Sequence, residues 1–137
     1  RDIENRAEMS SQSPAAVADA VDAATAAKLV ALVGEAKAGD TDFTMADQSG
    51  ARAIVAARNA AEGSEAWIDG ELVQSALQVA RQRSAAALAE IDALAIAREQ
   101  RSSADGGTGG LAEIQSAQSE IEVIVSRQTA RIAELSR

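Results

Sequence analysis

The chain has 137 residues, which suits one domain with a real core, and its 47% hydrophobic content includes only 1% aromatic residues. Its formal net charge of −8 argues against nucleic acid or an anionic membrane surface as partner, because both bind through clustered Lys and Arg. The absence of His and Cys removes the usual general base, most metal ligands and all disulfide chemistry, so the composition predicts neither an enzyme nor a cofactor.

The N-terminal residues 1–12 mix charged residues with Ser and contain few large apolar side chains. We expect them to form a flexible tail that precedes a single helical-bundle domain over residues 13–137. Ser13 and Pro14 favour a helix start, since Ser is a good N-cap and Pro suits the first helical position. Apolar residues recur at helical spacing from there, which predicts helix one with Gly39 as its C-terminal stop.

Residues 40–47 are predicted to be the first loop, because three carboxylates surround the only phenylalanine there. Thr44 followed three residues later by Asp47 resembles a capping box. Helix two, the shorter helix of the fold, is therefore expected to begin near Met45 and to end at Gly63.

The same loop raises the possibility of a cation site, because its side chains are the oxygen ligands that hard cations prefer: Asp40, Asp42, Thr44 and Asp47. Their spacing resembles the opening of an EF-hand loop. That loop requires Gly at its sixth position and Glu at its twelfth, where this chain has Met45 and Ala51. Helix capping and solvation therefore explain these carboxylates better than metal binding does.

Residues 64–101 are predicted to form one long helix of roughly 50 Å that carries the only tryptophan. Ser64 is a suitable N-cap for it. Apolar side chains cover about half of its circumference, so we expect it to contact at least two neighbouring helices. Gly70, near its start, indicates either the close approach of another backbone or a bend.

The segment 102–110 contains four of the nine glycines and is predicted to be a flexible linker. It lacks the following Lys and the preceding strand of a phosphate-binding loop. From Leu111 to Leu135 apolar residues then recur in alternating steps of three and four, which predicts a bundle helix. Two polar residues, Gln118 and Gln128, interrupt this apolar seam.

Four residues are candidates for an interaction surface: Trp67, Ile68, Gln118 and Gln128. Trp67 with Ile68 either anchors a partner protein or closes the apolar end of the bundle. Gln118 and Gln128 either select helix register or oligomeric state, or lie at the edge of the bundle and reach water.

The elements together predict an all-α fold, an antiparallel up-and-down helical bundle of three long helices and one shorter helix. The expected function is that of a non-enzymatic protein that acts through protein contacts or self-association. The alternatives are a helical module that binds a small ligand or a divalent cation, and an acidic, antitoxin-like intracellular regulatory partner.

The abundance of Ala and the preference for Arg over Lys indicate a bacterial source. The sequence begins at Arg1 instead of Met, so we expect an exported protein of the periplasm or envelope, while a cytoplasmic location stays open. No window of eighteen apolar residues predicts a membrane span, although a tether upstream of residue 1 is compatible with the sequence.

Overall fold

A computed structural model describes residues 22–105 and 110–137 of the chain. Three helices make up these ranges: α1 (Ala23–Ala57), α2 (Glu65–Asp105) and α3 (Leu111–Leu135). The structure is a helical bundle, which confirms the all-α prediction. The predicted tail and the predicted helix start at Ser13 and Pro14 lie outside the described residues.

Local capping explains where α1 and α2 begin. The Asp22 carboxylate accepts a hydrogen bond of 2.7 Å from the backbone N–H of Thr25, and this bond lowers the pKa of Asp22 below its ordinary value. The Ser64 hydroxyl accepts from the backbone N–H of Trp67 at 3.3 Å, as expected of the predicted N-cap. Gly63, just before it, has a φ of +82°, a left-handed conformation that glycine adopts without strain.

The predicted loop over residues 40–47 is wrong, because α1 runs without interruption from Ala23 to Ala57. Gly39, the predicted C-terminal stop of helix one, and Gly50 are both buried against α2. A Cβ atom on Gly39 would lie 2.6 Å from the Ser84 hydroxyl oxygen, and one on Gly50 would lie 2.4 Å from a methyl carbon of Val73. Glycine is about 1 kcal/mol less favourable than alanine within a helix, and the close packing of the two helices more than compensates for this cost. The predicted helices one and two are therefore a single helix, and the described residues contain three helices instead of four.

Residues that face each other occur in opposite order along α1 and α2. Gly39 packs on Ser84, whereas Gly50 packs on Val73, further towards the start of α2. Gly70 faces Ala57 at the end of α1, so it serves close approach, one of its two predicted roles. Of the three helix pairs, α1 and α2 share the most extensive contact and α1 and α3 the least.

The core of the described helices consists of two hydrophobic clusters, each with contributions from all three helices. The larger contains these buried residues: Leu29, Leu32, Ala36, Ala87, Ile91, Ala95, Ile114, Ala117, Ile121 and Ile124. The smaller contains Phe43, Ile54, Leu77, Ala80 and Leu135. Alanine supplies four of the ten buried residues of the larger cluster, which lets the helix axes approach closely. All eight residues of the predicted seam on the last helix are buried or half-buried, as expected for its inner face.

The close contact at Gly39 yields a stability prediction. Gly39→Ala is expected to lower the free energy of unfolding by about 1–3 kcal/mol, because the added methyl meets the Ala80 carbonyl oxygen at 2.9 Å and this backbone atom cannot easily move. Gly34→Ala is the matched control on the same helix, where an added Cβ meets nothing within 4 Å. The control is expected to raise stability by about 0.5–1 kcal/mol. Urea unfolding of both variants measures the difference, and equal effects would contradict the contact.

Candidate functional site

A polar layer separates the two hydrophobic clusters, and Gln128 of α3 is its centre. The Gln128 side chain is fully buried; its Nε2 donates to the Ser84 hydroxyl at 3.0 Å and lies 3.4 Å from an Asp40 carboxylate oxygen. The Ser84 hydroxyl in turn donates to the backbone carbonyl of Ala36 at 2.9 Å. Gln128 Oε1 has no hydrogen-bond partner among the described residues. The layer thus joins all three helices at one level but leaves one buried acceptor unsatisfied.

Ion pairs between helices surround this polar layer. Arg127 pairs with Asp40, and the Arg131 guanidinium binds both carboxylate oxygens of Asp47 at 2.8 and 3.0 Å. The two hydrogen bonds from Arg131 raise its pKa above the ordinary value, and Asp47 is the main cause. The partly buried, bidentate geometry favours the Asp47 pair over a simple surface pair, so it helps to hold α3 on α1.

The carboxylates considered as cation ligands, for which helix capping is the preferred explanation, are instead directed at arginines of the neighbouring helices. Asp40 and Asp47 bind α3, and Asp42 pairs with Arg83 of α2 at 3.4 Å. Among the side chains that the structure describes, no group of three or more His, Cys, Asp or Glu residues is placed to hold a metal ion.

The four candidate interaction residues do not form one surface. Gln128 is buried and so does not reach water, whereas Gln118 is half-buried and donates to the Asp92 carboxylate of α2. Ten residues separate the two glutamines along α3, about 15 Å. Trp67 is half-buried and lines a cavity of about 160 Å³ beside Leu135, which is compatible with a closing role. Ile68 alone belongs to a larger exposed surface.

That surface is a strip along the outer face of α2, which we call the outer strip. Its nine residues recur in alternating steps of four and three, and all are exposed: Ile68, Leu72, Ser75, Val79, Gln82, Ala86, Ala89, Ala93 and Ile96. Leu72 and Val79 are each 64% exposed, and Ile96 is 55% exposed. The strip covers about 42 Å of helix with the spacing of coiled-coil a and d positions.

The sequence contained the signal for the outer strip, but its interpretation was incomplete. The breadth of the apolar surface on α2 predicts two neighbouring helices, and α2 does contact both α1 and α3. These contacts use its opposite face, which buries Leu77, Ser84 and Ile91 together with the alanines between them. No helix of the described ranges covers the outer strip, so within these ranges α2 presents a second apolar seam in addition to the one in the core.

Two open grooves lie between α1 and α3, the helix pair with the least contact. One has a volume of about 600 Å³ and an apolar floor that includes Leu29, Val33 and Ala117. The ion pair between Lys37 and Glu120, at 3.1 Å, borders it. The other has a volume of about 560 Å³ and lies near Val55, towards the opposite end of the bundle. Both grooves are wide open, unlike the enclosed pockets that bury most of a small ligand.

Comparison with known proteins identifies no relative of this chain: no protein-family model, no curated protein and no solved structure matches it. A search of the described helices for membrane spans finds none that is both long and apolar enough to cross a bilayer. The outer strip, the polar layer and the grooves are therefore the features of this chain that bear on its function.

The unsatisfied oxygen of Gln128 leads to a paired prediction. Gln128→Leu keeps the side-chain volume and removes the buried amide. Ser84 retains its hydrogen bond to the Ala36 carbonyl, and Asp40 retains its hydrogen bond from Arg127. We expect it to raise the free energy of unfolding by about 1 kcal/mol. Gln128→Ala instead leaves a cavity and is expected to lower stability by about 2 kcal/mol or more. Chemical denaturation measures both, and a Leu variant as unstable as the Ala variant would contradict the unsatisfied amide.

The pair between Glu35 and Arg83, 2.8 Å apart, predicts a pH dependence. Its hydrogen bond lowers the pKa of Glu35 below the ordinary 4.5, so the pair stabilises the fold above that pH and loses its effect as the pH falls through the folded-state pKa. The melting temperature of the wild type should therefore exceed that of Glu35→Gln at neutral pH, and the difference should vanish in acid.

Arg83→Gln supplies the background that isolates this effect. Without the guanidinium, Glu35→Gln is expected to change the melting temperature by the same amount at every pH between neutral and acidic values. If the melting-temperature difference caused by Glu35→Gln still depends on pH in this background, the pH dependence comes from a group other than the Glu35–Arg83 pair.

Proposed function

We propose that this chain is a non-enzymatic helical-bundle protein that acts by binding a helix of another protein along the outer strip of α2. One observation carries the proposal: nine consecutive a and d positions of α2 are all exposed, and seven of them are apolar. An amphipathic helix recognises such a face through large side chains at the same spacing. Soluble proteins rarely leave a long apolar face open unless it serves an interaction.

The side chains of the strip differ between its two halves. Large apolar residues lie mainly in the N-terminal half, at Ile68, Leu72 and Val79, whereas the C-terminal half has Ala86, Ala89 and Ala93 before Ile96. Small residues let a second helix axis approach closely, and the large ones fill the wider space along the rest of the seam. We therefore expect the partner helix to carry its bulkier residues opposite the alanines.

The size of the strip predicts a reversible complex. Complete burial of a Leu, Ile or Val side chain contributes about 1.5–3 kcal/mol, and the large residues of the strip are already about half buried in the free bundle. The gain from both partners must also exceed an association cost of about 4–15 kcal/mol. Affinity in the micromolar range is the expected result, unless other surfaces add contacts.

We infer in addition that the three helices form an antiparallel up-and-down bundle, and this inference is supported by the reversed order of facing residues. On α2 and α3, Gln118 binds Asp92, whereas Gln128 binds the earlier Ser84. The buried polar layer favours one register of the helices, since a polar group can be satisfied only opposite its partners. The bundle then acts as a rigid support for the outer strip.

The bacterial source is part of the proposal and is supported by the abundance of Ala and the small number of Lys residues, two against eleven Arg. Export to the periplasm or association with the envelope stays a prediction. The alternative of a small-ligand module has one observation in its favour, the groove of about 600 Å³ with an apolar floor between α1 and α3.

A synthetic helix tests the proposed function. The probe is a fluorescent peptide of four heptads with Leu at its a and d positions and uncharged Gln on both flanks, used below the concentration at which it associates with itself. We expect saturable binding in the micromolar range, measured by anisotropy. The double variant Leu72→Asp, Val79→Asp should bind at least about tenfold more weakly, because it places two charges in the apolar interface.

Val30→Asp with Val123→Asp is the matched control, because these valines are 74% and 64% exposed on α1 and α3, away from the strip. Circular dichroism verifies that both double variants are folded, which their exposed positions predict. Absence of saturable binding to the wild type, or an equal loss in the control, would reject the outer strip as a docking face.

A further inference from the structure

We propose that the helix bound by the outer strip belongs to a basic partner, with Lys and Arg residues along both flanks of its apolar seam. This inference rests on the proposed function of the strip and adds the chemistry of the occupant. The observation behind it is the charge that borders the strip, at the positions next to its a and d residues.

Carboxylates dominate these flanking positions. Asp69, Glu71, Glu90 and Glu99 are exposed there and make no ion pair with any residue of the described ranges. A fifth flanking carboxylate, Asp92, faces α3 and accepts a hydrogen bond from Gln118. The border of the strip therefore presents four negative charges over its length that no basic residue of the described ranges neutralises through an ion pair.

The one basic residue on the flanks is already engaged. Arg83 donates to Glu35 at 2.8 Å and lies 3.4 Å from Asp42, both on α1. Its pKa is raised above the ordinary value, first by the hydrogen bond with Glu35. Arg83 is thus turned towards its own bundle, and the field along the outer strip is that of the carboxylates.

Several acidic residues elsewhere in the bundle pair with basic residues of other helices. Asp40 and Asp47 of α1 bind arginines of α3, and Glu120 binds Lys37. These pairs hold helices together. The four carboxylates of α2, which have no ion pair in the described ranges, flank an apolar strip that no described helix covers. Coiled-coil partners place at such positions the charges that decide which helix binds.

A second copy of the chain fits this border poorly when the helices are antiparallel. The register that places Leu72 opposite Ile96 of the second copy also brings Glu71 close to Glu99 of that copy. The same contact repeats by symmetry at the other end. Like charges at such positions destabilise the pairing.

A parallel pair of copies gains no opposite charges either. Coiled-coil geometry then sets Glu71 opposite Ala76 of the second copy, and Glu90 opposite Ala85. The net charge of −8 on each copy adds a general repulsion. A helix with basic flanks instead forms attractive pairs in either direction, so the charge pattern favours a basic partner over self-association.

Three peptides with the same Leu seam test this inference, with Lys, Gln or Glu at all flanking positions. In low salt we expect the Lys peptide to bind at least about tenfold more tightly than the Gln peptide, and the Glu peptide to bind most weakly. The advantage of the Lys peptide should shrink as the ionic strength approaches about 0.5 M, since exposed charges are screened.

A charge-matched pair of variants locates the effect on the strip. Glu71→Gln, Glu90→Gln, Glu99→Gln should abolish most of the preference for Lys over Gln peptide. The control removes three exposed glutamates that lie off the strip and have no ion pair in the described ranges: Glu62→Gln, Glu113→Gln, Glu122→Gln. Because both triple variants change the net charge equally, the control should keep the preference.

The outcomes separate this inference from the proposed function. If Lys and Gln peptides bind equally well and Leu72→Asp weakens both, the outer strip is a docking face and the basic partner is rejected. If both triple variants lose the preference equally, the attraction is a property of the whole charge, and the inference also fails. If light scattering shows a dimer that Leu72→Asp dissociates, the occupant is a second copy. If no peptide binds, both the docking function of the outer strip and the basic partner are rejected.

Discussion

The close approach of α1 and α2 is the constraint on which the rest of the bundle depends. At Gly39 the two helices are so near that a methyl group would meet the Ser84 hydroxyl and the Ala80 carbonyl. Small residues make this distance possible, and dispersion contacts of many small groups replace the burial of large aromatic ones. The same approach brings Ser84 within reach of the Ala36 carbonyl and places it beside Gln128 of α3. The polar layer is thus a consequence of the packing of the first two helices.

The packing of the three helices divides the polar groups into those that lie between helices and those that lie on the outer side of α2. Groups between helices are paired with one another: Gln128 with Ser84, and Asp47 with Arg131. Four carboxylates on the flanks of the outer strip, in contrast, have no ion pair with any residue that the structure describes. A face on which apolar residues and unpaired charges alternate with heptad spacing is suited to a helical partner, and its acidic border selects among such partners by charge.

Sequence patterns predicted much of the bundle. The start of α2 after Ser64, the bounds of α3 and its inner seam were all predicted, because caps and heptad spacing are local signals. The loop over residues 40–47 was predicted wrongly. Its carboxylates and the adjacent Gly39 resemble loop signals, but their real partners lie on other helices, 87 residues away for Asp40 and 84 residues away for Asp47. Contacts between residues this far apart cannot be recognised from a short segment of the sequence.

The sequence by itself determined the all-α class, the acidic surface and the presence of more apolar residues on α2 than one neighbour needs. It could not decide which of them stay exposed, because the inner and outer residues of α2 are equally alanine-rich and have the same periodicity. Only the tertiary structure separated Leu77 and Ile91, inside the core, from Leu72 and Val79 outside it. The physical reason is that two helices cover only part of the circumference of a third, and the side that they cover depends on how all three pack.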